Sequence, residues 1–280
     1  MTDIGIAGVM AADTITKLSA EATGAVVISG SHGGVYPGYL AAKAGIRALI
    51  LNDAGVGKEQ AGIGSLAYLE AKGIAAATVS HLSCRIGDTD DMIARGLVSH
   101  VNAIARACGV EQGMRCAEAA ERLTCAPHVN VTPSPVAEGR SEAAGSGGRR
   151  IVLIDSAAMV HPEDARQIVV TGSHGGLVGG LPTMALRVDG FAAVFNDAGI
   201  GADGAGITRL PALDARGIAA FTVSAASARI GDARSSFEDG IISQANKTAR
   251  RLGADVGLGA RDVLLRWSTL TVMPAKAGIQ

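Results

Sequence analysis

The chain has 280 residues, of which 48% are hydrophobic and 18% charged, and its formal net charge is −1. This is the composition of a folded globular protein, long enough for one large core or two of ordinary size. There is no basic stripe, and 3% aromatic residues leave few platforms on which bases could stack. We therefore expect no nucleic-acid partner. No apolar run approaches the roughly 20 residues of a membrane span, so no membrane partner is expected either.

The N-terminal segment, residues 1–5, has no basic region ahead of an apolar core and does not resemble a signal peptide. A cytoplasmic protein is the resulting prediction. Four cysteines lie in the first half and have no counterparts in the second: Cys84, Cys108, Cys116 and Cys125. Without a C-x-x-C spacing, and in a reducing compartment, they are predicted to be free thiols.

From residue 24 onwards, short apolar runs alternate with helical patterns. Three runs suit parallel strands that are buried on both faces, namely residues 25–28, 48–51 and 74–79. Two helical patterns between them, residues 39–44 and 63–72, are each ended by a glycine. Apolar residues at steps of three and four predict a long amphipathic helix over residues 88–107. This β-α-β-α-β-α order predicts an α/β fold with a parallel sheet.

Three polar signatures of the first half return in the second half in the same order. Gly30-Ser31-His32-Gly33-Gly34 returns as Gly172-Ser173-His174-Gly175-Gly176, and Asn52-Asp53-Ala54-Gly55 as Asn196-Asp197-Ala198-Gly199. Ser80-x-x-Ser83-x-Arg85-Ile86-Gly87-Asp88 returns as Ser224-x-x-Ser227-x-Arg229-Ile230-Gly231-Asp232. Aligned without a gap, residues 50–88 and 194–232 share 23 identities in 39 positions. An internal duplication is therefore predicted, with two similar Rossmann-like lobes related by a pseudo-two-fold axis.

The repeat places the first lobe in residues 1–130 and the second in residues 150–268. Residues 131–149 are rich in Pro, Gly and small polar residues, which is typical of a linker that does not order itself. The tail, residues 269–280, is predicted to be disordered.

Each signature follows the end of a predicted strand, and ligands of open parallel sheets sit outside those carboxyl ends. The two glycines of the first signature would let a ligand approach the backbone, and a helix that begins there favours an anion. The alternative is a tight turn with a hydrogen-bonded histidine.

The other two signatures also allow two interpretations. Asp53 could orient a histidine, accept a proton or bind a metal, or the Asn-Asp pair could cap the next segment. Arg85 could bind a substrate carboxylate or phosphate, or it could pair with Asp88 as a latch within its own loop. Both questions recur at the corresponding residues of the second copy.

The candidate catalytic residues are His32, Asp53, Ser31, His174, Asp197 and Ser173. The candidate substrate-binding residues are Gly33, Gly34, Asn52, Ser80, His81, Ser83, Arg85, Asp88, Gly175, Gly176, Asn196, Ser224, Ser227, Arg229 and Asp232. His81 stands where the second copy has Ala225. This asymmetry suggests that one lobe carries the chemistry and the other supports it.

Serine, histidine and aspartate at adjacent strand ends predict a hydrolase that acts on a small polar or anionic metabolite, although the G-x-S-x-G elbow is absent. One alternative is an isomerase, racemase or lyase whose substrate lies between the lobes, with His32 and His174 on opposite faces. Another is a non-catalytic protein that binds small anions. No cofactor is predicted. A divalent metal stays an alternative, as does a homo-oligomer, although no H-E-x-x-H motif is present.

Overall fold

The computed structural model describes residues 2–144 and 147–270, which form two similar α/β lobes of the Rossmann-like type. Each lobe is built on one six-stranded sheet. The strands of the first sheet are, in sheet order, β1 (Thr2–Asp3), β2 (Val9–Ala12), β3 (Val26–His32), β4 (Ala48–Asn52), β5 (Ala75–Val79) and β6 (Val98–Val101). Strands β2 to β5 are parallel, while β1 and β6 lie antiparallel at the two edges.

The second sheet repeats this plan. Its strands are β7 (Arg140–Ala143), β8 (Ile151–Ile154), β9 (Ile168–His174), β10 (Ala192–Asn196), β11 (Ala219–Val223) and β12 (Ile242–Ala245). Strands β8 to β11 are parallel, and β7 and β12 are the antiparallel edges. The predicted fold class is therefore confirmed, including the two lobes of the same design.

Helices cover both faces of each sheet, which explains why the central strands begin with apolar runs. In the first lobe these are α1 (Val35–Lys43), α2 (Gly64–Glu70), α3 (Thr89–Arg95), α4 (Ala103–Ala107) and α5 (Cys116–Leu123). Helices α1 and α2 pack on one face, where Val27 and Leu49 point, and α3 to α5 pack on the face of Val26 and Ile50. The second lobe has α6 (Arg209–Ala215), α7 (Ala233–Glu238), α8 (Lys247–Arg251) and α9 (Ala260–Thr269). Within the described residues, every helix is too short or too polar to cross a membrane.

The long helix predicted over residues 88–107 is wrong. Helix α3 ends at Arg95, where Gly96 leaves the helical conformation (ψ 136°) and its amide donates to the Met92 carbonyl. Strand β6 follows and pairs antiparallel with β5, and α4 comes after it. The apolar spacing satisfied the helical period although β-branched Val98 and Val101 belong to a strand.

The segment predicted to be an unstructured linker contains strand β7. Its backbone groups pair with β8, so the strand needs no apolar side chains of its own. Arg140 also forms an ion pair of 2.8 Å with the buried carboxylate of Asp164. At the C-terminus, Thr269 ends α9, and residues 271–280 of the predicted tail lie outside the described residues.

The lobes differ most after the first signature. The first lobe has helix α1 there, whereas the second has two short 3-10 turns, Val178–Gly180 and Pro182–Met184. Gly38 of α1 packs so tightly on Ser65 that an added Cβ would lie 2.9 Å from the Ser65 Cβ. The second lobe has Arg209 at the position of Ser65, and the missing helix leaves room for its guanidinium.

Candidate functional site

The lobes meet through the loops at the carboxyl ends of their strands. The Lys58 amide donates to the Ala225 carbonyl at 2.8 Å, and at the equivalent place the Ala202 amide donates to the His81 carbonyl at 2.7 Å. A small apolar cluster joins the lobes at this seam, consisting of Ala54, Ile86, Ala198, Ala205 and Ile230. These contacts are reciprocal, as a pseudo-two-fold relation requires.

Beside this seam lies a cavity of about 130 Å³ that both lobes line. It offers room for several water-sized groups, enough for a small metabolite. Both copies of the Ser-His pair reach it, together with several charged or phenolic residues. These lining residues are Ser31, His32, Tyr36, Glu138, Asp155, Ser173, His174, Arg187 and Arg209.

The two histidines have the same hydrogen bonding. The Gly34 amide donates to His32 Nδ1 at 3.2 Å, and the Gly176 amide donates to His174 Nδ1 at 3.2 Å. Because Nδ1 accepts in each ring, the neutral imidazole carries its proton on Nε2. No other hydrogen bond to either ring is made by the residues described, so each Nε2–H is free to donate to a ligand.

Burial keeps both rings uncharged. It lowers the pKa of His32 to about 4. The pKa of His174 is lowered by burial first, and then by the positive charges of Arg209 and of a protonated His32. At neutral pH both imidazoles are therefore neutral hydrogen-bond donors. A histidine in this state polarises an oxygen atom well and is a poor base.

Arg209 is a buried cation without a carboxylate partner in the described residues. It is 4% exposed, and its Nε donates to the Gly176 carbonyl while Nη1 donates to the carbonyls of Met184 and Ala185. Nη2 has no such partner among them. Burial lowers the pKa of Arg209 to about 10, so the guanidinium stays charged at neutral pH. A buried, unpaired charge is unfavourable unless an anion joins it, which makes Arg209 a ready anion site.

A carboxyl group from outside the repeated signatures also lines the cavity. Glu138, in the segment before β7, lies near the hydroxyls of Tyr36 of the first lobe and of Ser156, and both favour its charged form. Burial raises the pKa of Glu138, and the negative charge of Asp155 adds to the rise. Asp155 itself accepts amide hydrogen bonds from Gly139 at 2.5 Å and from Ala233 at 2.9 Å.

The two serines of the first signature are held by backbone amides. Ser31 Oγ accepts from the Ile15 amide at 3.0 Å, and Ser173 Oγ accepts from the Ala157 amide at 2.9 Å. Neither hydroxyl has a hydrogen bond to a histidine in the part of the chain that the structure describes. The serines therefore line the cavity without an adjacent base.

Asp53 and Asp197 lie at the seam and do not line the cavity. Asp53 Oδ1 accepts from the amide and from Nδ1 of His81, at 2.9 and 2.8 Å. Asp197 Oδ1 accepts from the amides of Gly199 and Ala225, at 2.9 and 2.8 Å. The aspartate that the sequence paired with His32 thus has His81 as its imidazole partner.

The third signature forms the latch. Arg85 Nε donates to Asp88 at 3.1 Å, and Arg229 Nε donates to Asp232 at 3.1 Å. Each arginine also reaches the other lobe, Arg85 at Asp203 and Arg229 at Glu59. The cavity lining does not include Arg85, Asp88, Arg229 or Asp232.

The remaining candidates shape loops. The side-chain Oδ1 atoms of Asn52 and Asn196 each accept a hydrogen bond from the backbone amide two residues later, at 2.9 Å. In the third signature, the second serine hydroxyl donates to the carbonyl of the first serine in each lobe. A Cβ at Gly33 or Gly175 would collide with a carbonyl oxygen, that of Gly62 or Gly206. The serines of the third signature are Ser80, Ser83, Ser224 and Ser227.

A metal centre is not indicated in residues 2–144 and 147–270. No group of three or more His, Cys, Asp or Glu side chains there is arranged to hold an ion. The four cysteines are free thiols.

Sequence reasoning missed Arg209, Glu138 and Tyr36. Arg209 had a signal, because the gap-free alignment places this charge opposite Ser65 within a repeat of otherwise similar residues. Glu138 had none, since its segment has no counterpart in the other half.

Comparisons with protein-family models, with curated proteins and with solved structures found no match to this chain.

Proposed function

We propose that the cavity between the lobes is the active site of an enzyme that binds a small organic acid and acts on it by acid–base chemistry, as isomerases and lyases do. The observation that carries this proposal is the convergence of Arg209 with His32 and His174. One fixed cation and two neutral N–H donors face the same small space.

The chemistry follows from what these groups can do. The free Nη2 of Arg209 would bind the carboxylate of the ligand, since guanidinium and carboxylate form strong charge-assisted hydrogen bonds. The two Nε2–H groups would then stabilise negative charge that develops on a neighbouring oxygen. Preorganised donors in a site of low polarity contribute much of the catalysis in enzymes of this kind.

The serine–histidine hydrolase mechanism stays a prediction. Ser31 and Ser173 face the cavity, but their hydroxyls bond backbone amides, whereas a nucleophilic serine needs a base within hydrogen-bond reach. For the same reason we favour proton-transfer chemistry. A cytoplasmic location and a homo-oligomeric state also stay predictions, and the free thiols suit a reducing compartment.

Ligand binding tests the proposal directly. A thermal-shift titration of the whole chain with propionate, pyruvate and lactate should raise Tm, because a ligand that binds only the native state stabilises it. Arg209→Ser should remove this response. The first lobe has Ser65 at the equivalent position in α2, so a serine is compatible with the start of the corresponding helix α6.

Arg216→Ser is the matched control. Arg216 also donates to carbonyls of the same segment, those of Leu186 and Val188, but it lies away from the cavity and pairs with Asp189. It should lower Tm without changing the response to the acids. If none of the acids shifts the Tm of the wild-type protein, or if Arg209→Ser responds fully, the proposal fails.

The variant His32→Asn distinguishes an enzyme from a non-catalytic protein that binds anions. The Asn Oδ1 can still accept the Gly34 amide, but the Nε2–H is lost. An enzyme should keep the thermal shift and lose turnover, whereas a binding protein would show no turnover in either form.

A further inference from the structure

We propose that Glu138 is the general base of this site and that the substrate is a short 2-oxo acid, from which Glu138 removes a proton at the carbon next to the ketone. This inference rests on the proposed function and names its substrate class and its proton acceptor.

The position of Glu138 supports the assignment. It lines the same cavity as Arg209 and both histidines, and it has no ion-pair partner among the described residues. The nearby Tyr36 and Ser156 hydroxyls favour its charged form, and the carboxylate has lone pairs for a substrate proton. The other cavity carboxylate, Asp155, is fixed on both oxygens by backbone amides.

The environment of Glu138 also suits a base. A carboxylate in water is weak, and burial together with the nearby charge of Asp155 raises the pKa of Glu138 towards the range where proton abstraction is efficient. The histidines have the opposite shift, and their Nε2 atoms already carry protons. The two kinds of group therefore divide the work, with the imidazoles as donors and Glu138 as acceptor.

A 2-oxo acid has a group to match each of the three kinds of residue in the cavity, namely the arginine, the histidines and the glutamate. Its carboxylate would pair with Arg209, and its ketone oxygen would accept from the imidazole Nε2–H groups. In the step itself, the C3–H bond breaks and its proton goes to a Glu138 oxygen. The C–H electron pair forms the C2=C3 bond, and the ketone π pair moves to oxygen as an enolate. The reverse step returns a proton to carbon, so no oxidant or second reactant is needed.

Exchange in D2O measures this step without knowledge of the net reaction. The wild-type protein is incubated with pyruvate or 2-oxobutyrate in D2O, and loss of the C3 proton signal is followed by NMR against a protein-free control. We expect exchange about 100-fold or more above the buffer rate, the usual contribution of a positioned base. Glu138→Gln should return exchange to the buffer rate and keep the thermal shift with pyruvate.

Two further variants separate chemistry from structure. Glu142→Gln, on the exposed side of β7, removes an equivalent carboxylate away from the cavity and should leave exchange unchanged. Tyr36→Phe removes a nearby hydroxyl that favours the charged form of Glu138, so the pKa of Glu138 should rise further. The acidic limb of the exchange profile should then move to higher pH, which a purely structural role of Tyr36 would not cause.

The outcomes distinguish the two proposals. If pyruvate shifts Tm but the wild-type protein shows no exchange, or if Glu138→Gln exchanges at the wild-type rate, this inference is overturned and the carboxylate-binding site stands. If no acid binds, both proposals fail together.

Discussion

Gly55 and Gly199 pack against each other where the lobes meet, so closely that a Cβ atom on either would lie 2.9 Å from the Cα atom of the other. Both have positive φ, +76° and +74°. The contact is reciprocal and lies in the second signature of each copy. Part of that signature is therefore explained by the joining of the lobes.

Gly55→Ala should destabilise the protein by more than its backbone strain. An alanine at positive φ costs about 1 to 2 kcal/mol, and the clash with the Gly199 backbone should add about 1 to 3 kcal/mol. Gly113→Ala is the control, since Gly113 has φ +86° and nothing within 4 Å of an added Cβ. Urea unfolding gives both free energies, and equal losses would contradict the importance of this contact.

His81→Ala should weaken the seam and leave ligand binding intact. Burial would raise the pKa of Asp53, but hydrogen bonds from the His81 side chain and backbone outweigh it, and the net pKa is lowered. The ionised Asp53 therefore stabilises the folded state at pH values above the pKa of the unfolded carboxyl, about 3.9. This stabilisation is lost as pH falls through the lower pKa of Asp53 in the folded protein.

We expect a loss of about 1 to 3 kcal/mol at pH 7 for His81→Ala, because a buried carboxylate loses a partner. The difference from wild type should shrink in unfolding measurements as pH falls through the lowered native pKa of Asp53, where the carboxylate becomes protonated. Ala225 occupies the equivalent place in the second lobe, so the fold accepts alanine there. A difference that grows on acidification would be the contrary result.

The sequence predicted the central strands β3, β4 and β5 because they are buried on both faces, which leaves apolar runs such as residues 25–28 and 48–51. It also predicted that His32 and His174 would lie at strand ends. It failed where contacts from distant residues decide. Asp53 takes its imidazole partner from the loop after β5, and strand β7 forms from a segment with no strand-like pattern because β8 supplies the pairing.

For the same reason, only some of the residues that line the cavity could be predicted from the sequence. A repeat reveals what two copies share, and the polar groups that make this site asymmetric are those they do not share. Arg209 fits because the second lobe lacks the helix that packs on Ser65, and Glu138 lies outside the repeat. In a chain with two similar lobes, the residues that the lobes do not share therefore carry information that the shared signatures do not.

The stability of the protein should fall between about pH 6.5 and pH 4 through His32. Its pKa is about 6.5 when unfolded and about 4 when folded, because burial disfavours the charged ring. The unfolded state thus binds the proton first, and stability is full above pH 6.5 and declines as pH falls towards 4. The full effect is roughly 3 kcal/mol.

His32→Asn should flatten this part of the profile relative to wild type, since the variant has no ring to protonate. Urea midpoints at pH 7.0, 6.0, 5.0 and 4.5 measure the difference, in which the contributions of carboxyl groups shared by the two proteins cancel. Parallel profiles would mean that the ring is already exposed to protons in the folded state.

Arg85→Gln distinguishes the latch from a substrate-binding arginine. The guanidinium bonds Asp88 and Asp91 at 3.0 Å and reaches Asp203 of the other lobe at 3.5 Å, and it does not line the cavity. Since the group is 43% exposed, we expect a loss of only about 1 kcal/mol, which should diminish at high salt. The thermal shift with pyruvate should be unchanged, whereas Arg209→Ser should remove it. If Arg85→Gln abolished the pyruvate response while its unfolding free energy stayed near wild type, Arg85 would have to reach the ligand, and the third signature would belong to the binding site.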